Sequence, residues 1–458
     1  MAGRRVVVVG AGITGLTVAH RLVVDHPQLE VTVLEASTIT GGKLRTTPLT
    51  EIGIDVDEGA DAFLVRVPWA VDLCTELGLA DDLVAPSARR ASLWLDARLR
   101  PIPSPNVLGV PLDPTAVAPG LVADADLERL AGAGRPDSPL PDGDLSVGRV
   151  IRACVGDTVF ERLVDPLIGG VNAGRADDLS CATMAPGLLT AARNPDGLLA
   201  TLRQANRTTD PTTPVFNAPA GGMGRLVGEL ARRLGDRIRI GVEVTGIERT
   251  GGDWVVRTSD GTPAMAEAVV VATPAHVAAT LVAAHSPAAA SALGGLRHAS
   301  VVVATMAWRR ADLEVPADQS GFLVGRGEGL LMTACSFAGS KWAHLADPDH
   351  TILRVSCGRI DDDRHAAMDD AGLTAALAAD VATTLGVEAS PVVARLTRWP
   401  RSLVQFPVGH PTLMAEMDSA LAASPGLIVT GAARHGVGIP ACVRSGTEAA
   451  AEVADLIG

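Results

Sequence analysis

Val6-Val7-Val8-Val9-Gly10-Ala11-Gly12-Ile13-Thr14-Gly15 stands near the start of the chain; a helix-forming run, the apolar segment Val31-Thr32-Val33-Leu34 and then Glu35 follow it. An apolar strand, a G-x-G-x-x-G turn, a helix, a second strand and an acid at its end together spell a dinucleotide-binding βαβ unit. Gly10 permits the tight turn off the strand, Gly12 lets the backbone approach a pyrophosphate, and Gly15 lets the helix lie close to the sheet. The phosphates would rest on the N–H groups of Ala11, Ile13 and Thr14 where the helix begins. Glu35, twenty residues beyond Gly15 and followed by Ala36, is placed to accept hydrogen bonds from the ribose hydroxyls of the adenosine half.

The next residues narrow the choice of dinucleotide. Gly41-Gly42-Lys43-Leu44-Arg45 adds a second glycine pair and two cations directly after the ribose-binding strand, within reach of the same diphosphate. A simple nicotinamide domain has no use for them.

At 458 residues and 47% hydrophobic, the chain is too long for one ordinary domain and can fill two or three cores. Its formal charge of −13, with no basic block, argues against a surface that tracks nucleic acid. Cys74, Cys154, Cys181, Cys335, Cys357 and Cys442 are scattered without a CxxC pair, the usage of a reduced compartment with no metal site. Arg4 and Arg5 before an apolar run imitate a secretory signal, but that run is the nucleotide fingerprint itself. The stretch from Ala268 to Leu296 lacks acids, lysines and arginines, yet Pro274 and Pro287 interrupt it, so it reads as a strand Val269–Thr273 and a buried helix from Pro274. The reading is a cytoplasmic protein with no transmembrane segment, for which any membrane contact would be peripheral.

Further along, Ala91-Ser92-Leu93-Trp94-Leu95 reads as a strand that turns through Asp96-Ala97-Arg98 into Arg100-Pro101-Ile102-Pro103. From Pro111 to about Thr209 helix formers broken by proline and glycine dominate, with Ser146 capping a helix and Gly156-Asp157 starting another. Ile238 to Glu248 reads as a strand returning to the nucleotide domain, with Trp254–Arg257 and Val269–Thr273 completing a small sheet. Alternating runs between Ser300 and Thr397 read as a mixed sheet. Leu427–Gly431 is a last strand, leading through Gly436-Val437-Gly438-Ile439-Pro440 into a terminal helix whose start offers N–H groups and a positive dipole end.

Four of these strings, Gly10 to Arg45, Leu93 to Ser104, Gly156 to Ser180 and Gly431 to Gly446, resemble the FAD-dependent porphyrinogen oxidase family within the flavin amine oxidase superfamily. The resemblance implies an α/β fold: a Rossmann-like FAD-binding domain from residues 1–64, 210–291 and 406–458, a mixed-sheet substrate domain from 65–110 and 292–405, and a helical insertion at 111–209. It implies that Gly42 and Lys43 meet the diphosphate and that Gly59, Ala60, Asp61 and Ala62 pass beside the isoalloxazine. Val244 would meet the adenine through its backbone, Trp399 would join the cofactor site, and Val437, Gly438 and Ile439 would face the flavin ring.

The activity implied is oxidation of coproporphyrinogen III to coproporphyrin III in haem biosynthesis, by hydride transfer to the flavin and reoxidation by molecular oxygen. Protoporphyrinogen IX remains the alternative substrate. Four propionates call for cations, and Arg90 before the LW strand is the candidate partner, with Gly174 as a close backbone approach to the planar substrate. No catalytic side chain is assigned, because the flavin carries the chemistry. A transient contact with the next haem-pathway enzyme belongs to the same reading. The absence of tyrosine counts against a flavin amine oxidase, in which paired aromatics commonly flank the flavin. The R-x-x-P-I-P and G-V-G-I-P strings fit a carotenoid desaturase poorly, and a non-catalytic binding protein on the same fold would lack a flavin spectrum.

Overall fold

The computed structural model describes residues 4–207 and 213–457. The last residues of the expected helical insertion, 208–209, and the first of the second nucleotide-domain segment, 210–212, lie outside the described residues. The chain forms two compact units, one of Met1–Ala85, Val215–Leu296 and Pro411–Gly458, the other of Pro86–Pro214 and Arg297–His410.

The first unit is built on a five-stranded sheet with the order Ile238–Ile240, Glu30–Glu35, Arg5–Val9, Ala268–Val271, Leu427–Val429, every pair parallel. Val6 to Val9 occupy its centre, and Ala268 to Val271 beside them have no exposed surface. Continuous apolar runs of this kind are what a parallel sheet covered on both faces requires. The helix Ile13–Asp25 leaves the first strand and packs against the terminal helix Ile439–Ile457, so closely that a Cβ at Gly446 would stand 2.7 Å from the Thr14 carbonyl oxygen. The helix Gly224–Leu234 buries Leu226, Val227, Leu230 and Leu234, spaced to form one stripe.

Three expectations are corrected here. Ile238 to Glu248 is not one strand. Ile238–Ile240 joins the parallel sheet, the chain turns at Gly241 (φ 68°), and Val244–Thr250 opens a separate antiparallel sheet with Asp253–Thr258 and Ala264–Ala266. Ala268–Val271 does not complete that small sheet; its four fully buried residues need cover on both faces, which the centre of the parallel sheet provides. Residues 65–85, read with the substrate region, also fold into the first unit. Helix Trp69–Glu76 buries Ala70, Leu73 and Cys74 and packs on the terminal helix, while Leu83–Val84 pairs with Pro219 and Ala218.

The second unit is organised by a seven-stranded mixed sheet, ordered Val393–Val404, His298–Arg309, His350–Cys357, Met332–Phe337, Gln319–Val324, Arg90–Leu95, Arg98–Pro101. Only the pair Gln319–Val324 and Arg90–Leu95 is parallel among these. On one face Val302, Ala304, Met306 and Trp308 pack with Leu373, Leu377 and Val381 of helix Asp370–Leu385. The helical segment shares a core with the same sheet, since Leu93 and Leu95 are buried among Val150, Ile151, Phe160 and Leu163. Ser146 caps helix Val147–Val155 by accepting the Arg149 N–H at 3.1 Å. From Asp157 the chain stays helical to Asn172, with a wide turn at Phe160–Val164 just before Pro166, whose missing N–H and bulky ring forbid the ordinary helical bond. Asp96 ties strand to helices: it holds Arg100 at 2.9 Å and pairs with Arg162, and the Arg162 contact first keeps its carboxyl below the usual range.

Candidate functional site

The glycine turn of the first unit takes the shape its chemistry requires. Gly10 sits at φ 102°, where side chains are strained, and its N–H donates to Leu34 O at 2.8 Å. A Cβ at Gly15 would overlap the Gly10 carbonyl oxygen, so only glycine allows the helix this approach. At Gly12 the situation reverses: a Cβ there would meet nothing within 4 Å. Gly12 also caps Ile13–Asp25, a helix start with no side-chain cap and no acid in its first turn. Open space in front of uncapped N–H groups is a cradle for an anion.

Around this start the second glycine pair closes in. The Gly41 N–H donates to Ala11 O at 2.8 Å, and a Cβ at Gly42 would lie 3.3 Å from the Gly12 Cα. Glu35 holds the turn from the other side, its two carboxylate oxygens accepting the Ala11 N–H at 2.7 Å and the Ser37 N–H at 2.8 Å. Each oxygen retains a lone pair for a ribose hydroxyl. Val242 and Gly241 donate to Glu35 O and Ser37 O at 2.8 Å, which brings the strand beginning at Val244 alongside the ribose end.

Lys43 is exposed by surface area, yet desolvation by surrounding protein lowers its pKa from the usual lysine value, with Cys442 as the opposing influence. The two observations together describe a cation lining a cleft. Burial pushes the Cys442 thiol up against the pull of Lys43 and the Thr14 hydroxyl, so Lys43, Thr14 and Cys442 gather where the helices Ile13–Asp25 and Ile439–Ile457 begin. Gly438, just before the second of these, is exposed, and a Cβ there would meet only Pro440 at 3.9 Å. Val437 is half-buried and Ile439 buried. His435 meets Glu448 at 2.6 Å.

One group went unassigned in the sequence. Asp57, 3% exposed, accepts the Thr46 hydroxyl at 2.5 Å and the Met223 N–H at 2.9 Å, while Thr46 Oγ1 accepts the Gly224 N–H at 2.7 Å. This network fixes the start of helix Gly224–Leu234 against the hairpin Thr46–Leu49 and Ile54–Asp57, and sets the origin of the partly exposed loop Gly59–Ala62. An acid next to the apolar Val56, just before a small-residue loop, was the available signal. Arg45, expected at the diphosphate, pairs with Glu58 at 3.2 Å.

The remaining assigned residues stand in the second unit. Trp399 is half-buried on strand Val393–Val404, opposite Val301. Arg90 begins its strand in an exposed ion pair with Asp318 at 2.8 Å. At Gly174 a Cβ would overlap Gln405 Oε1, and its carbonyl accepts from Arg326. Arg326 also binds Asp165 at 2.8 Å and Asp361 at 2.8 Å, so the glycine serves a tight internal junction.

An exposed backbone cradle, an acid at the ribose position and a cation in the cleft fit a dinucleotide with a diphosphate. Comparison with known proteins agrees. The profile of the flavin containing amine oxidoreductases matches residues 13–454. The coproporphyrinogen III oxidase of Mycobacterium tuberculosis (strain H37Rv) is 34% identical over 100% of this chain and 99% of its own. That of Bacillus subtilis is 29% identical over 98% and 97%. A solved structure from Exiguobacterium sp. 255-15 superposes with a TM-score of 0.88 at 28% identity, covering 99% of both chains. The cofactor is accordingly a flavin, and the chain belongs to the flavin-containing amine oxidoreductase family, where it is similar from end to end to coproporphyrinogen III oxidases.

Proposed function

We propose that the protein oxidises coproporphyrinogen III to coproporphyrin III with FAD as cofactor and molecular oxygen as acceptor. The observation that carries this reading is the unbroken likeness to coproporphyrinogen III oxidases through both units, with every backbone feature of the dinucleotide cradle intact. When bound, the flavin supplies the two-electron chemistry of each oxidation, and the protein supplies binding, orientation and electrostatics.

In this reading the N–H groups of Ile13 and Thr14 bind the diphosphate across the space left at Gly12, with Gly42 and Lys43 on its other side, while the Ala11 N–H, expected at the phosphates, is held by Glu35. Glu35 accepts the ribose hydroxyls, and the Val244 backbone meets the adenine. The loop Gly59-Ala60-Asp61-Ala62 passes beside the ring system. Val437, Gly438 and Ile439 present the start of a nineteen-residue helix to its pyrimidine end, where a positive dipole end favours negative charge. Lys43, exposed and next to Gly42, brings a cation to the same side.

The test is direct. The purified protein should carry FAD, release hydrogen peroxide as it turns over, and act faster on coproporphyrinogen III than on protoporphyrinogen IX. A preference for protoporphyrinogen would move the substrate assignment, and a protein that binds no flavin would end the reading.

A further inference from the structure

At one end of the seven-stranded sheet, the hairpin that joins Gln319–Val324 to Met332–Phe337 turns through Gly325-Arg326-Gly327-Glu328-Gly329-Leu330-Leu331. Three glycines in these seven residues leave much of its backbone bare. Gly327 and Gly329 adopt φ of 84° and 80°, and a Cβ at either would meet nothing within 4 Å. The N–H groups of Gly327, Glu328, Gly329 and Leu330 find no acceptor among the described residues. Together with Arg359, Asp362 and Arg364, which follow the strand His350–Cys357, the turn borders a cavity of about 230 Å³. Sites for drug-sized ligands run to roughly 300–1,000 Å³, so this space suits a small ligand and not a tetrapyrrole.

The walls are held in place without a ligand. Glu328 accepts the Asp96 and Ala97 N–H groups at 3.0 and 3.3 Å, and Asp380 of helix Asp370–Leu385 accepts those of Leu331 and Met332, both at 2.8 Å. Arg326 binds Asp165 and Asp361, and Arg364 grips the two oxygens of Asp362 at 2.8 and 2.7 Å. Each of these acids is thereby committed to a partner. Arg359 is the exception among the cations. It is half-buried; its Nη2 donates to Val324 O at 2.7 Å, its Nε is sealed without an acceptor, and its Nη1 is neither sealed nor bonded. Asp165, Asp361 and Asp362 lie near enough to favour its charge, yet burial first and then the neighbouring Arg326 outweigh them and lower its pKa. A desolvated guanidinium beside a like charge, with one nitrogen left to a cavity, is costly until an anion meets it.

We propose that this cavity is a binding site for a small oxyanion, a phosphate or a carboxylate, held by the Arg359 Nη1 and the free N–H groups of the glycine turn. Arg364, whose own Nη1 has no acceptor among the described residues, adds a second guanidinium at the rim. Turn N–H groups and a planar cation complement the several lone pairs of such an ion. Binding also relieves the repulsion between Arg359 and Arg326, the residue that holds Asp165 and the Gly174 carbonyl. The inference does not depend on the porphyrinogen reading.

Calorimetric titration of the flavin-loaded full-length protein with inorganic phosphate and, separately, with malonate tests this. Sodium chloride keeps the ionic strength constant, and the loaded flavin keeps the diphosphate cradle filled. One saturable site is expected with at least one of the two anions, with a matching rise in thermal midpoint, and the anion that binds distinguishes phosphate from carboxylate chemistry. Arg359→Gln should weaken the affinity about tenfold or more, as expected for loss of a charge-assisted contact, and Arg359→Lys should recover part of the loss. Arg364→Gln should weaken it by less. Its side chain is 51% exposed, so this variant carries the test should those at Arg359 fail to fold. No saturable binding by the wild type, or an affinity that the glutamine variants leave unchanged, overturns the inference.

Discussion

The turn at the head of the first unit's parallel sheet is specified by side chains that are missing; the rows of the second unit's mixed sheet are specified by side chains that are present. Gly12 faces empty space and Gly15 touches a carbonyl, so the turn is specified by the lack of a Cβ at fixed intervals. The row Arg395, Thr305, Arg354 is specified by side chains that meet only because three strands pair in one register. A site made of backbone constrains residue identity within a few positions, whereas a site made across strands constrains identity only after the pairing is known. The two kinds should therefore respond differently to substitution.

The sharpest break is Gly15→Ala. Its Cβ would overlap the Gly10 carbonyl oxygen, with the Gly10 carbonyl carbon at 3.1 Å, so the helix must shift away from the sheet at the centre of the unit. Overpacking with no flexible neighbour to yield should cost about 3 kcal/mol or more, read as a loss of soluble protein or a large fall in urea midpoint. Wild-type stability would mean that the helix does not sit where this account needs it.

The counterpart in the second unit is Arg326→Ala. Asp165, 6% exposed, would keep the Ala176 N–H at 2.9 Å but lose its guanidinium at 2.8 Å, leaving a buried carboxylate without its cation. Such one-sided removal should destabilise by about 3 kcal/mol. Adding Asp165→Asn should recover much of it in urea unfolding. Additive losses in the double variant would show that charge does not hold this junction.

The same contrast explains what could be read before the structure. The glycine turn, Glu35 and the strands Arg5–Val9 and Glu30–Glu35 were legible because local sterics fix them within thirty-five residues. The partner sheet of Ala268–Val271 was not, since an apolar run does not say which of two sheets it enters. Nor was the network that joins Asp57 to Met223, two residues 166 positions apart. Arg90, next to a recognisable string, drew attention by position alone, and its exposed pairing with Asp318 could be read only from the strand register.

A subtler break tests the backbone site through the side chain of Glu35. Glu35→Ala leaves the Ala11 and Ser37 N–H groups without their acceptor and removes the ribose partner proposed above. Loss of hydrogen bonds to a charged group should weaken FAD binding by roughly 1.5–3 kcal/mol, with the apoprotein still folded. Full flavin content after extensive dialysis would show that Glu35 supports the turn and not the cofactor.

The smallest expected effect separates two arginines of the second unit. Arg90 pairs with Asp318 at 2.8 Å, but the side chains are 69% and 60% exposed, and exposed pairs contribute about 0–1 kcal/mol because water and salt screen them. It begins an edge-ward strand, whereas Arg354 lies in the sheet interior at 8% exposure. An arginine this exposed, already paired and screened by water, adds little to the binding of an incoming carboxylate. Arg90→Ala should therefore lower stability by less than about 1 kcal/mol, by an amount that shrinks further in high salt, and should leave KM for coproporphyrinogen III near the wild-type value. If KM rose selectively for coproporphyrinogen over protoporphyrinogen, the expectation first drawn from its place before the LW strand would be restored. The substrate's carboxylates would then be met at the strand's exposed start.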